Sequence, residues 1–229
     1  MPIINHDIKK IYHLSKIPVR FDRDEVVKKL YPRHAPKQIS NLSNVLETAE
    51  ELINAQAVYK FACIGGQDGK TIKIEDIKFK SRLLCELLHD KNSVVPYILT
   101  LEAALEKHAR ESNDLLHQYY FDILGNLALQ KAEKYLKKIL NDKHGLKNLS
   151  NLSPGSLKDW PIEEQKPFFS LFGKTEKLIG VTLTDKMLMI PAKSVSGIYF
   201  TSETEFIACR LCSRQNCQER RKPYSLSLT

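Results

Sequence analysis

Apolar residues recur at two periods along this chain, and each change of period marks off an element. RDEVVKKL at 23–30 reads as a short helix. Between 37 and 54, Ile39, Leu42, Val45, Leu46, Ala49 and Ile53 fall near helical spacing. VYKFACI at 58–64 has the β-branched and aromatic content of a strand, and TIKIEDIKF at 71–79 alternates as a second one. GGQDG at 65–69 joins them as a turn, with Asp68-Gly69 as a favoured hairpin pair. Residues 81–89 return to helical spacing. SVVPYILT at 93–100 is a short apolar strand, and its Pro96, which has no N–H to donate, predicts an edge or a bulge.

Residues 101–141 form the longest helical stretch. Leu101, Ala104, Leu105 and His108 share a face. Leu116, Tyr119, Tyr120, Ile123, Leu124, Leu127, Ala128 and Lys131 continue the period. Asn113-Asp114 offers a cap that divides the stretch into two helices, and Asp142 to Gly145 closes it. Over 146–161 the period disappears into Ser, Asn, Pro and Gly, which predicts a loop. PIEEQKPFFSLFG then predicts a helix with Pro161 at its first position and Gly173 beyond its end. LIGVTLT, KMLMIPA, SVSGIYFT and EFIAC follow as expected strands. Helices and strands alternate irregularly and no segment repeats, so the expected class is α+β, not a doubly wound fold.

Composition narrows the function classes. Of 229 residues 42% are hydrophobic, enough for a real core. No run of about 18 apolar residues is present, so no ordinary membrane-spanning helix is expected. The first fourteen residues lack the charged-then-apolar pattern of a secretory signal, and the expected location is cytoplasmic. The net charge is +8, with nine Lys or Arg against four Asp or Glu in residues 1–40 and a basic cluster from Arg210 to Lys222. Such a surplus suits an acidic partner, but a solvated surface is its ordinary explanation. No RNA-recognition or helix-turn-helix signature occurs, so nucleic acid is not an expected partner.

The cysteines fall into two settings. Cys63 and Cys85 lie singly in apolar contexts and read as small buried hydrophobes. Cys209, Cys212 and Cys217 are spaced so that a turn can bring their thiolates onto one soft ion, zinc or an iron–sulfur cluster. Reduced thiols without metal and a disulfide are the alternatives. GGQDGKT approaches a phosphate-binding loop, but its glycines are one residue too close and it lies between strands. No HExxH, GxSxG or GxGxxG occurs, and the seven histidines are dispersed.

From about Ser81 to Ala208 the chain resembles the activation domain of cobalamin-dependent methionine synthase and its stand-alone relatives. The residues that carry this are Pro154-Gly155, Trp160-Pro161, the helix from Glu163, Ile179 to Thr184, Met189-Ile190-Pro191, and Ser194-Val195-Ser196-Gly197-Ile198-Tyr199-Phe200. The resemblance implies a twisted antiparallel β-sheet flanked by helices. It divides the chain into an N-terminal segment with a β-hairpin (1–80), the activation-like domain (81–208) and a cysteine-containing tail (209–229).

It also implies an accessory role in corrinoid-dependent methyl transfer, with S-adenosylmethionine as methyl donor and cobalamin carried by a partner. That partner would be a corrinoid-binding protein or a cobalamin-dependent methyltransferase, with electrons from a flavodoxin-like or ferredoxin-like donor. The implied ligand contacts are Ser153, Pro154, Gly155, Ser156, Ser194, Val195, Ser196 and Gly197. For the Ser194–Gly197 strand a purely structural role is the alternative, with Gly197 permitting a bulge. Asp122, a carboxylate inside an apolar helical stretch, is a further candidate that faces a pocket, the surface or another helix. Met187 and Met189 read as core. The family's loop reads R-x-A-P-G-Y, whereas this chain has Asn151 in place of the arginine and Ser156 in place of the tyrosine. Ile207-Ala208 replaces a tyrosine pair. Two further classes remain: a metal- or cluster-bearing redox partner acting through Cys209–Cys217, and a non-catalytic module that binds a corrinoid protein.

Overall fold

A computed structural model describes every residue except 1–9, 32, 34–40, 218–219 and 226–229. Strand β1 (Tyr12–Ile17) leads into helix α1 (Arg23–Leu30). Asp22 caps α1 by accepting the Glu25 N–H at 2.8 Å, and Asp24, Glu25, Lys28 and Lys29 are distributed as the helix dipole favours. Helix α2 (Leu42–Leu52) follows; Ile39 and the expected start of this helix at 37 lie outside the described residues. The expected strand at 58–64 is two strands, β2 (Ala55–Tyr59) and β3 (Ala62–Gln67), broken at Lys60-Phe61. The stretch 71–79 is likewise a hairpin, β4 (Thr71–Ile74) and β5 (Ile77–Lys80). Asp68 builds the turn before it by accepting N–H bonds from Lys70 and Thr71, which hold its carboxyl down at about 2.

Helix α3 (Arg82–Leu87) starts at the Ser81 cap and leads to β6 (Ser93–Thr100). Helices α4 (Ala104–Glu111) and α5 (Leu115–His144) divide where Asp114 accepts the Leu116 N–H, and Gly145 closes α5 in the left-handed region at φ 68°. The expected loop at 146–161 contains a strand, β7 (Leu149–Leu152). A 3-10 turn (Ile162–Glu164) opens α6 (Gln165–Ser170). LIGVTLT is mostly not strand: α7 (Thr175–Ile179) ends at Gly180, and only β8 (Thr182–Leu183) extends. It pairs with β9 (Met189–Ile190), and β10 (Ser194–Thr201) is the last strand among the described residues. EFIAC ends in a 3-10 turn at Ala208–Arg210.

All strand pairs in the main, eight-stranded sheet are antiparallel. Along its main path β1 pairs β2, β2 pairs β6, β6 pairs β10 and β10 pairs β7. β3 continues from β2 on the same edge of β6 and carries β4 and β5. Strands from before and after residue 80 therefore share one sheet. Pro96 lies in the middle of it, not at an edge. Its carbonyl accepts the Lys60 N–H at 3.2 Å, so its bare nitrogen faces the break between β2 and β3, where no ladder bond is lost.

The sheet separates two cores. One face packs against α1, α2, α4 and α5, with Tyr97, Leu99, Phe121, Leu124, Leu136 and Tyr199 buried. The other packs against α3, α6 and α7, with Phe79, Leu84, Ile98, Trp160, Phe168 and Ile198 buried. Cys85 is buried as expected, but Cys63 is exposed because β3 leaves the sheet's covered region there. No described helix is long and apolar enough to cross a membrane.

Beneath α5 the first core contains a polar network. Tyr97 and Tyr199 stack at 4.3 Å, and the Tyr97 hydroxyl donates to Glu133 at 2.8 Å. Burial raises the Glu133 pKa above its usual value of 4.5, against the opposing pull of Tyr97, Lys137 and Arg221. A carboxyl with a raised folded pKa favours the fold most when protonated. Its contribution is full below the unfolded pKa and declines as pH rises through the folded one. Glu133→Gln keeps an acceptor for Tyr97 and removes that cost. Urea titrations should show the variant more stable than the parent at pH 7, with the difference vanishing as the pH falls toward 4.5.

Candidate functional site

The loop after β7 is held from three sides. Gly155, at φ 81°, donates its N–H to the Trp160 carbonyl at 2.8 Å, and the Ser156 hydroxyl returns to the Ser153 carbonyl at 2.7 Å. Trp160 is fully buried between Phe79 and Phe168. Next to it, Asp159 accepts the Ser81 hydroxyl at 2.6 Å and the Leu83 N–H at 2.7 Å, which ties the loop to the start of α3. These anchors leave Pro154-Gly155 projecting as a rigid lip.

Facing the lip is the β8–β9 hairpin. Met187 takes a left-handed φ of 61°, and Thr184 closes the turn by accepting the Leu188 N–H on its hydroxyl at 3.0 Å. Lip, hairpin and the start of β10 enclose a cleft of about 620 Å³. Ser153, Pro154, Gly155, Ser156, Val195 and Ser196 all line it. Ligand pockets commonly occupy about 300–1,000 Å³, so the cleft is large enough for a nucleoside-sized molecule. Met187 and Met189, expected in the core, are half-buried in its wall.

Two expected contacts lie behind the wall instead. Ser194 is buried, and its hydroxyl pairs with the Pro191 carbonyl at 2.7 Å and the Thr100 hydroxyl at 2.9 Å. Gly197 permits no bulge, since β10 keeps its register with β6 throughout. It permits close approach: a Cβ there would stand 2.7 Å from both the Leu152 carbonyl and the Ser153 hydroxyl. Asp122 lies on the surface, paired with Lys193 at 2.6 Å, in an adjoining cleft of about 450 Å³. The two clefts share Arg110 and Ala192. Asn151 turns away from the lip, its amide 3.4 Å from the Tyr97 hydroxyl.

Sequence reasoning missed Arg110, Gln165, Thr184 and Leu188, which also line the cleft. Gln165 is buried beneath it, with its carbonyl oxygen accepting from Ser196 at 3.4 Å. The usable signal was the length of the segment between the two short strands, since a turn projecting past them must cover something.

The cysteine-bearing tail folds back on itself. Arg220 donates to the carbonyls of Cys209, at 2.8 Å, and Cys212, at 3.1 Å. Burial opposes ionisation of the Cys209 thiol. The Arg221 N–H and charge, with the Lys222 N–H, outweigh it and hold the thiol below its usual pKa. Cys212 lines a cleft of about 920 Å³ on the far side of the Gly155–Ile162 segment, together with Arg82, Lys158 and Tyr224. Among the described residues, no group of three or more His, Cys, Asp or Glu is placed to hold a metal ion.

Residues 156–222 match the family model for the vitamin B12 dependent methionine synthase activation domain. One segment of the chain is therefore similar to that activation domain. The matched segment begins at Ser156, just after the lip, takes in the hairpin and β10, and runs on through all three tail cysteines. Among solved structures, the chain is similar to the crystal structure of the MetH reactivation domain bound to AdoHcy, with a TM-score of 0.61 and 13% identity. The likeness covers 86% of this chain and 80% of that one. This share exceeds what residues 81–229 alone contain, so the likeness extends into the first eighty residues. Search of the curated proteins finds no match.

Proposed function

We propose that the protein supports reductive reactivation of a corrinoid (vitamin B12) protein in the cytoplasm. S-adenosylmethionine would sit in the cleft between the Pro154-Gly155 lip and the β8–β10 segment, presenting its sulfonium methyl to cobalt on the partner. The observation that carries this reading is the cleft itself. It is formed largely by the segment that matches the activation-domain family, and it combines two walls of suitable chemistry. Pro154, Ile162, Met187, Met189 and Ile190 offer an apolar face for a purine and ribose. Ser153, Ser156, Thr184 and Ser196 supply hydroxyls, and Arg110 supplies a cation.

The protein's part in such chemistry is placement, since the reactive methyl belongs to the ligand and the metal to the partner. A docking partner is supported by what surrounds the clefts. Leu115, Tyr119, Leu188 and Ile190 are exposed apolar residues that line one or other of them. Apolar surface of this kind, rimmed by polar groups, marks interaction sites. An electron donor of the flavodoxin or ferredoxin class would act on the same complex.

Calorimetric titration of the intact protein with S-adenosylmethionine tests the reading. Saturable heat is expected, together with a rise in melting temperature, because a ligand at about 100 times its Kd stabilises by roughly 2.7 kcal/mol. Absence of heat and of thermal shift at millimolar ligand would reject the methyl-donor role.

A further inference from the structure

Among the described residues, the cleft is lined by one charged side chain, that of Arg110. It comes from α4, outside the segments that form the lip and hairpin, and it is oriented through Glu106, which is itself held from two directions. Glu106, one turn earlier on the same helix, forms an ion pair with its guanidinium through Oε1. The other oxygen of Glu106 accepts the Ala192 N–H at 3.0 Å, on the link between β9 and β10. Glu106 thus bridges the helix to the cleft wall and holds Arg110 beside it. The Arg110 side chain remains 75% exposed, while that of Glu106 is 18% exposed. A guanidinium carries five N–H donors in a fixed fork. The contact with one Glu106 oxygen leaves donors of this fork open to a second anion.

From this arrangement we infer that Arg110 is the carboxylate anchor of the cleft, recognising the α-carboxylate of an amino-acid-bearing ligand. The inference rests on the function proposed above and adds to it the residue that discriminates zwitterionic from decarboxylated ligands. Asn151 does not supply this contact, because its amide is turned toward Tyr97 beneath α5. Asp122 and Lys193 pair with one another in the neighbouring cleft, and neither lines this one. A planar fork suits a carboxylate in a way that an ammonium does not, so lysine would be a partial substitute.

The test compares S-adenosylmethionine with decarboxylated S-adenosylmethionine, which retains the sulfonium, nucleoside and amine. Both are titrated calorimetrically into the parent protein, Arg110→Ala and Arg110→Lys. The parent should prefer the carboxylated ligand by roughly tenfold to a hundredfold, as expected for a charge-assisted bond. Arg110→Ala should bind the two ligands equally, and Arg110→Lys should fall between. Urea midpoints of both variants should stay close to the parent value, since Arg110 is exposed. If the parent binds S-adenosylmethionine and Arg110→Ala keeps the full preference, the anchor is overturned and the function stands. A variant that weakens both ligands by the same factor also overturns the anchor. If the parent binds neither ligand, the function proposed for the cleft fails and the anchor with it.

Discussion

Trp160→Ala should lower unfolding free energy by about 3–5 kcal/mol, the usual cost of deleting a large buried aromatic. Small and medium domains have only about 5–15 kcal/mol in total, so the change removes a large part of the margin. Trp160 is fully buried and touches Phe79 on β5 and Phe168 on α6 edge-on, at 6.2 and 6.3 Å. It therefore fastens the loop after β7 to two elements of the second core. Its indole N–H has no hydrogen-bond partner among the described residues, so its hold is packing alone. Trp160→Phe should consequently cost much less than the alanine change. Urea denaturation monitored by far-ultraviolet circular dichroism reads both variants. An alanine variant within 1 kcal/mol of the parent, on the order of a neutral surface change, would show that the loop is held otherwise. Below the urea transition, Trp160→Ala should also lose affinity for the cleft ligand, because the carbonyl that fixes Gly155 moves with residue 160.

Gly197→Val is the second large effect, with a different cause. The new side chain would collide with the Leu152 carbonyl, which is backbone of the neighbouring strand and cannot swing aside. Overpacking commonly costs about 1–3 kcal/mol, and a collision with a paired backbone should reach at least the upper end. β7 would have to move off β10, carrying Ser153 and the lip with it. Alanine at this position already places a Cβ 2.7 Å from two atoms, so Gly197→Ala should be destabilised in the same direction and less severely. Thermal melts rank the three proteins, and calorimetry on the folded variants shows whether the cleft has changed. An alanine variant with unaltered melting temperature would mean that the strands separate there without cost.

Much of the fold was legible because it follows from local chemistry. The cap at Asp114, the glycine stop at 145 and the long period of α5 all depend on neighbours within a turn or two. What was misread depends on distant partners. Pro96 signals an edge only if its nitrogen faces a paired strand, and the break at Lys60-Phe61 removes that condition. β7 is polar and looked like loop. Ser150 in it is buried because Ser202 and the Phe206 N–H, more than fifty residues later, satisfy its hydroxyl.

The site divides in the same way. The lip and the first residues of β10 were readable from a family resemblance carried by contiguous residues. Ser194 and Gly197 belong to that run too, but the Ser194 hydroxyl is taken up by Pro191 and Thr100 and Gly197 lies against the Leu152 carbonyl, so neither lines the cleft. Arg110 was invisible because Glu106 and Arg110, one helical turn apart, look like any solvated pair. Only the bond from Glu106 to Ala192, across 86 residues, ties the pair to the cleft wall.

β10 lies between β6 and β7, although it follows both in the chain. A ribosome delivering the chain from its amino end therefore releases two strands with a vacant slot between them. Until the third emerges, both present unpaired peptide groups to whatever is near. The nascent protein is thus most vulnerable to mispairing over the interval between residues 152 and 194. Closure then comes in one late insertion, which joins β7 to the rest of the sheet and completes the cleft wall together.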